Sequence, residues 1–137
     1  MIISTRGRYA LRILQDIAQQ GEGGYIPLKT VAERQQISKK YADQIANQLS
    51  QAGILQGIRG PQGGYRLAVE PEKLTLLTIL ETTEGPLQAV SCLEDQAACA
   101  RAGVCLAQPV WARLTKTIRD YLSGVTLADT LNQSSQP

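Results

Sequence analysis

The chain has 137 residues, 43% of them hydrophobic and only 4% aromatic, which suffices for one domain, or one small domain plus an appended element, with a core of Leu, Ile, Val and Ala. Its net charge of +2 is uneven: residues 1–66 hold nine basic and four acidic residues and residues 67–137 hold five and eight, which fits either a nucleic-acid partner or a solvated surface. We see no signal peptide and no run of the ~20 apolar residues that spans a bilayer, so we expect a cytoplasmic protein with reduced thiols and no membrane partner.

The first 53 residues predict three helices. Residues 4–20 carry apolar side chains at helical spacing, with Ser4 as the N-cap and Gly21 as the stop. A short helix covers 27–35, and a turn leads into a third helix that Ser38 caps and that runs through Ala52. The buried face of the third helix is predicted to consist of Tyr41, Ala42, Ile45, Leu49 and Ala52, and its open side of Lys39, Lys40, Asp43, Gln44, Asn47 and Gln48.

A predicted β-hairpin follows the helices. Residues 54–59 and 65–69 predict strands, and the glycine-rich segment 60–64 between them is a turn sequence. Two short helices around a tight turn form a helix-turn-helix, which is a weak signal alone, but a hairpin directly after it makes a winged helix. We therefore predict a mainly α fold with a winged helix-turn-helix domain over 1–70, whose two-stranded β wing carries Arg59 and Gln62.

The second half predicts a connecting segment, a loop and a long helix. Residues 75–83 predict a short helix within the segment 71–90, and residues 91–107 show no apolar period and are expected to be a loop. A long helix from Pro109 to about Ser123 and a short one over 127–131 belong to the segment 108–137. The long helix repeats apolar residues at three- and four-residue steps: Trp111, Leu114, Ile118, Tyr121 and Leu122. They fit a helix packed on its own domain or, at least as well, a dimer seam.

All three cysteines lie in one 14-residue window, at Cys92, Cys99 and Cys105, with the spacing C-x6-C-x5-C. Clustered thiolates are the ligands of a soft metal centre, and their odd number argues against a purely internal disulfide framework. Zinc sites favour C-x2-C pairs, which this chain lacks. A metal-free thiol switch, in which two of the three form a reversible disulfide, is a stronger rival, and three incidental cysteines are the remaining alternative.

An enzyme is not expected from this sequence. It contains no histidine, no Ser/His or Cys/His pairing and no phosphate-cradling glycine loop. A metal or redox site beside a DNA-binding domain instead indicates a regulator whose binding to DNA depends on the state of that site.

Two motifs resemble a known family. The wing sequence Arg59-Gly60-Pro61-Gln62-Gly63-Gly64-Tyr65-Arg66-Leu67 looks like the RGxxGGYxL signature of the IscR/NsrR/CymR regulators, the Rrf-two family. The opening Ser4-Thr5-Arg6-Gly7-Arg8-Tyr9-Ala10-Leu11 is similar to the family's STKGRYAL start, and the resemblance extends through Thr126-Leu127-Ala128-Asp129. These regulators are dimeric winged-helix transcription factors. With its three spaced cysteines, this chain resembles the IscR-like branch of the family, whose members bind a cluster.

The resemblance implies that the winged helix binds double-stranded DNA, that the long helix forms a homodimer, and that the cysteine loop holds an iron–sulfur cluster near the partner's N-terminal helix. The second helix of the pair would enter the major groove, where Gln44 suits adenine, Lys40 guanine and Asp43 cytosine, unless Asp43 merely pairs with a neighbouring lysine. A dimer would place two recognition helices roughly 34 Å apart on a two-fold related operator. The expected DNA-binding residues are Arg6, Lys29, Ser38, Lys39, Lys40, Tyr41, Asp43, Gln44, Arg59 and Gln62, and the expected dimer interface consists of Trp111, Leu114, Ile118, Tyr121 and Leu122.

A 2Fe–2S or 4Fe–4S cluster on the three cysteines would need a fourth ligand. One branch of the family uses a histidine three residues beyond the last cysteine, where this chain has Gln108, and another uses a carboxylate of the partner's N-terminal helix, where it has Arg8. The remaining candidates are a small exogenous molecule or a nearby carboxylate, namely Glu84, Glu94 or Asp95.

The function predicted from these features is a dimeric, sequence-specific transcription regulator whose DNA affinity is modulated by an iron–sulfur cluster. The alternative is a cluster-free winged-helix repressor of sulfur metabolism, controlled by thiol redox chemistry or by a partner protein.

Overall fold

Helices dominate the computed structural model, which describes residues 3–93 and 99–132. In chain order the elements are α1 (Thr5–Gln20), α2 (Leu28–Gln35), α3 (Lys39–Gln51), β1 (Leu55–Ile58), β2 (Gly64–Leu67), a 3-10 helix (Pro71–Lys73), α4 (Leu76–Glu84), a second 3-10 helix (Ser91–Leu93), α5 (Gln108–Ser123) and α6 (Leu127–Asn132). The predicted fold class, mainly helical with a two-stranded wing, is confirmed. In the described ranges, no helix has the length and apolar character needed to cross a membrane.

Capping side chains set the helix starts. The hydroxyl of Ser4 accepts a hydrogen bond from the Gly7 amide at 3.1 Å, and that of Ser38 accepts one from the Tyr41 amide at 3.2 Å. Each bond satisfies an amide that the first helical turn leaves without a backbone partner. Both predicted N-caps are therefore confirmed, and the helices begin within one residue of the positions expected from the sequence.

The helix-turn-helix forms at a tight turn between α2 and α3. Gln36 adopts a left-handed conformation with a φ of 57°, and the Ile37 amide donates back to the Ala32 carbonyl at 2.9 Å. Helix α3 buries Ala42, Ile45, Ala46 and Leu49 against α1 and α2. The expectation that Ala52 belongs to this buried stripe is wrong: α3 ends at Gln51, and Ala52 is an exposed C-cap residue from which the chain leaves towards the wing.

The wing is tied to the segment before α2. Strands β1 and β2 pair antiparallel, with Leu55 opposite Leu67 and Ile58 opposite Gly64. Tyr65 also exchanges two backbone hydrogen bonds with Ile26, both 2.9 Å long. A Cβ at Gly64, whose φ is 154°, would lie 2.2 Å from the Ile26 carbonyl oxygen. Glycine at this position therefore lets the wing lie directly against the helix-turn-helix.

The main core extends beyond residues 1–70. Ile13 and Leu14 of α1 pack in one buried cluster with Leu74, Ile79 and Leu127 of the second half. The Leu127 amide donates to the Leu74 carbonyl at 2.7 Å, which fixes α6 beside the start of α4. Ile79, near the middle of α4, is completely buried in this cluster.

A second apolar cluster joins α4 to α5. Leu80, Leu87 and Leu122 are buried in it, and Ile118 packs against it. Arg119 of α5 also forms an ion pair with Glu81 of α4, with 2.5 Å between Nη1 and Oε2. These contacts fix which face of α5 packs on its own chain and which face is left outside.

Candidate DNA-binding face and cysteine segment

The N-terminal half of α3 presents polar side chains to solvent. Lys40 and Gln44 are exposed, and Lys39 donates to both carboxylate oxygens of Asp43 at 2.9 and 3.1 Å. About half of each paired side chain is exposed, so this pair, four residues apart on one helix, contributes only about 0.3–0.5 kcal/mol. The ion pair between Lys39 and Asp43 can therefore break at little cost when either side chain binds another group. Of the two interpretations of Asp43, pairing with Lys39 is the one present in the structure.

Tyr41 is packed rather than free. Its ring meets that of Tyr9 edge to face, with centroids 5.7 Å apart, and the guanidinium carbon of Arg6 lies 5.7 Å from its centre. Arg12 stands over Tyr9 at 5.2 Å and donates to both the side chain and the backbone carbonyl of Gln35. Sequence reasoning missed both residues of α1: Tyr9 supports α3 through Tyr41, and Arg12 bonds to Gln35 of α2.

Arg6, expected to contact DNA, is directed at α3. Its guanidinium donates to Gln48 Oε1 at 3.3 Å and to Gln44 Oε1 at 3.5 Å. Gln48 in turn donates to the carbonyl of Thr82 in α4 at 3.0 Å. The N-terminus of α1 is thus joined to the helix predicted to enter the major groove and, through it, to α4.

The wing presents a further basic region. Arg59 and Gln62 are exposed at its tip, and Lys29 is exposed in the first turn of α2. Arg66, which was not among the expected DNA-binding residues, stacks on Tyr25 at 4.6 Å and donates to Gln56 on the opposite strand. Tyr25 and Arg66 are distant in sequence, so no local pattern indicates this contact.

An ion pair braces α1 against α2. Asp16 is only 3% exposed and accepts from Arg34 at 3.0 and 2.6 Å and from Gln35 at 2.9 Å. Burial alone would raise the pKa of Asp16, but the hydrogen bonds from Arg34 and Gln35 and the charge of Arg34 outweigh burial and lower that pKa below its ordinary value. The hydrogen bond to Asp16 raises the pKa of Arg34. The first helix of the helix-turn-helix is thus held by a charged contact.

The three cysteines are half-buried thiols without disulfide bonds. Cys92 lies in the 3-10 helix Ser91–Leu93 rather than in an irregular loop, whereas Glu94 and Asp95 fall outside the described residues. Across 3–93 and 99–132, no three His, Cys, Asp or Glu side chains are gathered in a metal-binding arrangement. The donor set suits iron in its chemistry, because thiolates are the usual cluster ligands, but the structure does not bring the three sulfurs together.

The candidate Glu84 and the two positions that carry a ligand in other branches of the family are differently placed. Glu84, at the end of α4, accepts from the Ser4 amide at 2.5 Å and so stabilises the N-terminus of α1. Gln108 is the first residue of α5, and the guanidinium of Arg8 donates to the Thr5 hydroxyl at 3.1 Å. Glu84 therefore already has a structural role at the start of α1.

The residues predicted for a dimer seam differ in exposure along α5. Trp111, Leu114 and Tyr121 are 39%, 44% and 68% exposed. Leu122 instead packs inside the chain against Leu80, and Ile118 borders the same cluster. Exposed apolar side chains of this size in a row are typical of a surface that a partner covers.

Comparisons with known proteins agree with this architecture. Residues 3–133 match the Rrf2 family, which is described as iron-dependent transcriptional regulators. Over 129 residues the chain is 31% identical to the transcriptional regulator IscR of Aliivibrio salmonicida, covering 94% of this chain and 76% of that protein. Its structure is similar to that of CymR, the global cysteine regulator of B. subtilis, with a TM-score of 0.81, 32% identity and 98% and 99% of the two chains covered. It is also similar to T. potens IscR, with a TM-score of 0.80, 32% identity and 99% and 90% coverage.

Proposed function

The chain belongs to the Rrf2 family of transcriptional regulators, and on that premise we propose that it is a dimeric, sequence-specific DNA-binding protein whose affinity depends on an iron–sulfur cluster at Cys92, Cys99 and Cys105. The observation that carries the DNA-binding part is the capped N-terminus of α3, which exposes Lys40 and Gln44, in a chain whose wing also exposes Arg59. A helix for the major groove next to a basic hairpin for the backbone is the contact surface that a winged helix needs.

Individual contacts follow from the chemistry of the exposed groups. Lys40 suits a guanine edge and Gln44 an adenine edge, while Asp43, if it leaves Lys39, accepts from a cytosine amino group. Lys29 and Arg59 suit phosphate oxygens on either side of the groove. Ser38 and Tyr41 act through the start and packing of α3, and Gln62 extends the wing tip.

A homodimer would use the exposed apolar side chains of α5. Trp111, Leu114 and Tyr121 offer a row of apolar side chains on one helix, which suits a second copy of the same helix. Two copies related by a two-fold axis would present two α3 helices to successive turns of the duplex, roughly 34 Å apart. The matching operator is a two-fold related sequence.

The cysteines would provide three ligands for a 2Fe–2S or 4Fe–4S cluster. The chain has no further cysteine and no histidine, so a fourth ligand must be a carboxylate or an exogenous molecule. If bound there, a cluster would supply a one-electron redox centre. The stretch just before Cys92 is tethered to the body, because the Ala89 amide donates to the Thr115 hydroxyl at 2.9 Å and the Leu87 amide to Glu81 at 3.1 Å.

A second candidate is regulation without a cluster. The three thiols are unpaired, partly accessible and not gathered into a metal-binding arrangement, and the fold is also similar to CymR. A reversible disulfide within the segment, or a partner protein seated near it, would then set the DNA affinity of a repressor of sulfur metabolism.

The colour and iron content of protein purified without oxygen distinguish the two candidates. With a cluster, we expect iron and sulfide in equal amounts and visible absorption bands that any of the substitutions Cys92→Ser, Cys99→Ser and Cys105→Ser abolishes. Ser91→Ala, at an exposed neighbour of Cys92, is the matched control and should leave the bands intact. Colourless protein whose DNA affinity changes on mild oxidation would support the cluster-free candidate.

A further inference from the structure

Gln48 links two parts of the fold through the two ends of one amide. This half-buried side chain donates from Nε2 to the carbonyl oxygen of Thr82 at 3.0 Å, and its Oε1 accepts from Arg6 at 3.3 Å. A carbonyl can only accept and a guanidinium can only donate, so the two partners together determine which way the amide faces.

Arg6 also contacts Gln44, which lies one helical turn before Gln48 on α3. From the same guanidinium that bonds Gln48, Nη2 donates to Gln44 Oε1 at 3.5 Å. Residues 44 and 48 lie on the same side of a helix, so one planar guanidinium can reach both amides. The ring of Tyr41, 5.7 Å from the guanidinium carbon, limits where that group can move.

The orientation of Gln44 decides what its amide offers to a base. With its oxygen turned towards Arg6, the exposed side chain presents its NH2 group outwards as a donor. Guanine, adenine and thymine each offer an acceptor in the major groove, whereas cytosine offers a donor. A Gln44 released from Arg6 can turn either end outwards and discriminates less between these edges.

We propose that Gln48 is a positioning residue for base recognition: anchored on Thr82 of α4, it holds Arg6 so that Arg6 orients the amide of Gln44 towards base acceptors. This proposal rests on the proposed function, since it assumes that α3 reads DNA. It adds that the specificity of one base pair in each half-site depends on a residue that does not itself contact the base.

The test uses the full chain and a randomised DNA duplex library, from which the wild-type protein selects its preferred sequence. Dissociation constants are then measured for that duplex and for its single base-pair variants. Gln44→Ala identifies the base pair that Gln44 reads. We expect Gln48→Met to reduce discrimination at that base pair by at least about fivefold and to leave other positions unchanged. The double variant should lose no more discrimination than Gln44→Ala alone, because the two residues act as a unit.

Two further variants separate positioning from general damage. Gln48→Glu loses the donor to the Thr82 carbonyl but keeps an acceptor for Arg6, and its carboxylate attracts the guanidinium more strongly than the amide does. It should therefore retain discrimination, although its added negative charge weakens binding to every duplex. Gln51→Met, at an exposed glutamine of the same helix, is the matched control and should behave as wild type. Thermal melting of each variant identifies any that is unfolded.

Intact discrimination at that base pair in folded Gln48→Met would overturn the proposal, as would an equal loss of discrimination at every position or in Gln48→Glu. A Gln44→Ala variant that changes no base preference would also overturn it. A wild-type chain that selects no sequence would remove the proposed function itself, and this proposal with it.

Discussion

Replacing Arg34 with methionine tests the charged brace between α1 and α2. The substitution keeps an unbranched side chain of similar length but removes both hydrogen bonds to Asp16, at 3.0 and 2.6 Å. Asp16, 3% exposed, then retains the 2.9 Å bond from Gln35 but has lost its counter-charge. The free energy of unfolding should fall for that reason.

The magnitude follows from the number and exposure of the lost bonds. A hydrogen bond to a charged group contributes about 1.5–3 kcal/mol, but the Arg34 side chain is 37% exposed, so solvent screens its interaction. We therefore expect a loss of about 2 kcal/mol in total, equivalent to a fall in melting temperature of roughly 6–8 °C for a chain of this size. Lys116→Met is the matched control, because it breaks an exposed ion pair with Asp120 and should cost about 0.5 kcal/mol or less.

The loss in free energy of unfolding caused by Arg34→Met should also depend on pH. The pKa of Asp16 is lowered in the folded chain, so the unfolded chain takes up this proton first as the pH falls. The stability contributed by the charged pair is therefore present above about pH 4 and is lost as the pH drops through the folded pKa. Urea unfolding, followed by circular dichroism, measures the free energies of unfolding of the wild-type chain and of Arg34→Met at pH 7 and at pH 3. Arg34→Met as stable as Lys116→Met at pH 7, or an equally large deficit at pH 3, would refute the reasoning.

Three further outcomes test the wing, the phosphate contact and the dimer. Gly64→Ala should cost about 2 kcal/mol or more in urea unfolding, because its Cβ would lie 2.2 Å from the Ile26 carbonyl oxygen; wild-type stability would contradict this account of the wing. Arg59→Ala should weaken binding to all duplexes and flatten the slope of log K against log salt by about 0.9, and an unchanged slope would exclude the contact. Leu114→Asp should convert a dimer to monomers in sedimentation, whereas Lys116→Met should not; a dimeric Leu114→Asp variant would place the interface elsewhere.

The helix starts were predictable because they depend on neighbours in sequence. Ser4 and Ser38 accept from amides three residues ahead, so the residue type and its place before an apolar repeat suffice. The wing was predictable for the same reason, since its turn and both strands fall within one short stretch. The buried side of α3 was mostly correct, but Ala52 was misplaced because the pattern does not tell where the helix stops.

The contacts that organise the candidate site were not predictable, because they join residues distant in sequence. Gln48 bonds Arg6 across 42 positions and Thr82 across 34, and glutamine carries no apolar signal that would indicate a partner. Distant contacts also decide the position of Leu122. Both Leu122 and Tyr121 continue the apolar repeat of α5, so the sequence pattern does not show which of them is buried. Only the packing of α4 against α5 shows that Leu122 is inside the chain and Tyr121 outside.

The most direct test of the account is the affinity of one selected duplex for the protein with and without its cluster. Protein purified without oxygen is measured as isolated and again after a chelator has removed its iron under reducing conditions, at one salt concentration. If the state of the segment containing Cys92, Cys99 and Cys105 controls DNA binding, the two dissociation constants should differ by about fivefold or more. Equal dissociation constants for the iron-loaded and iron-free protein would contradict the central claim.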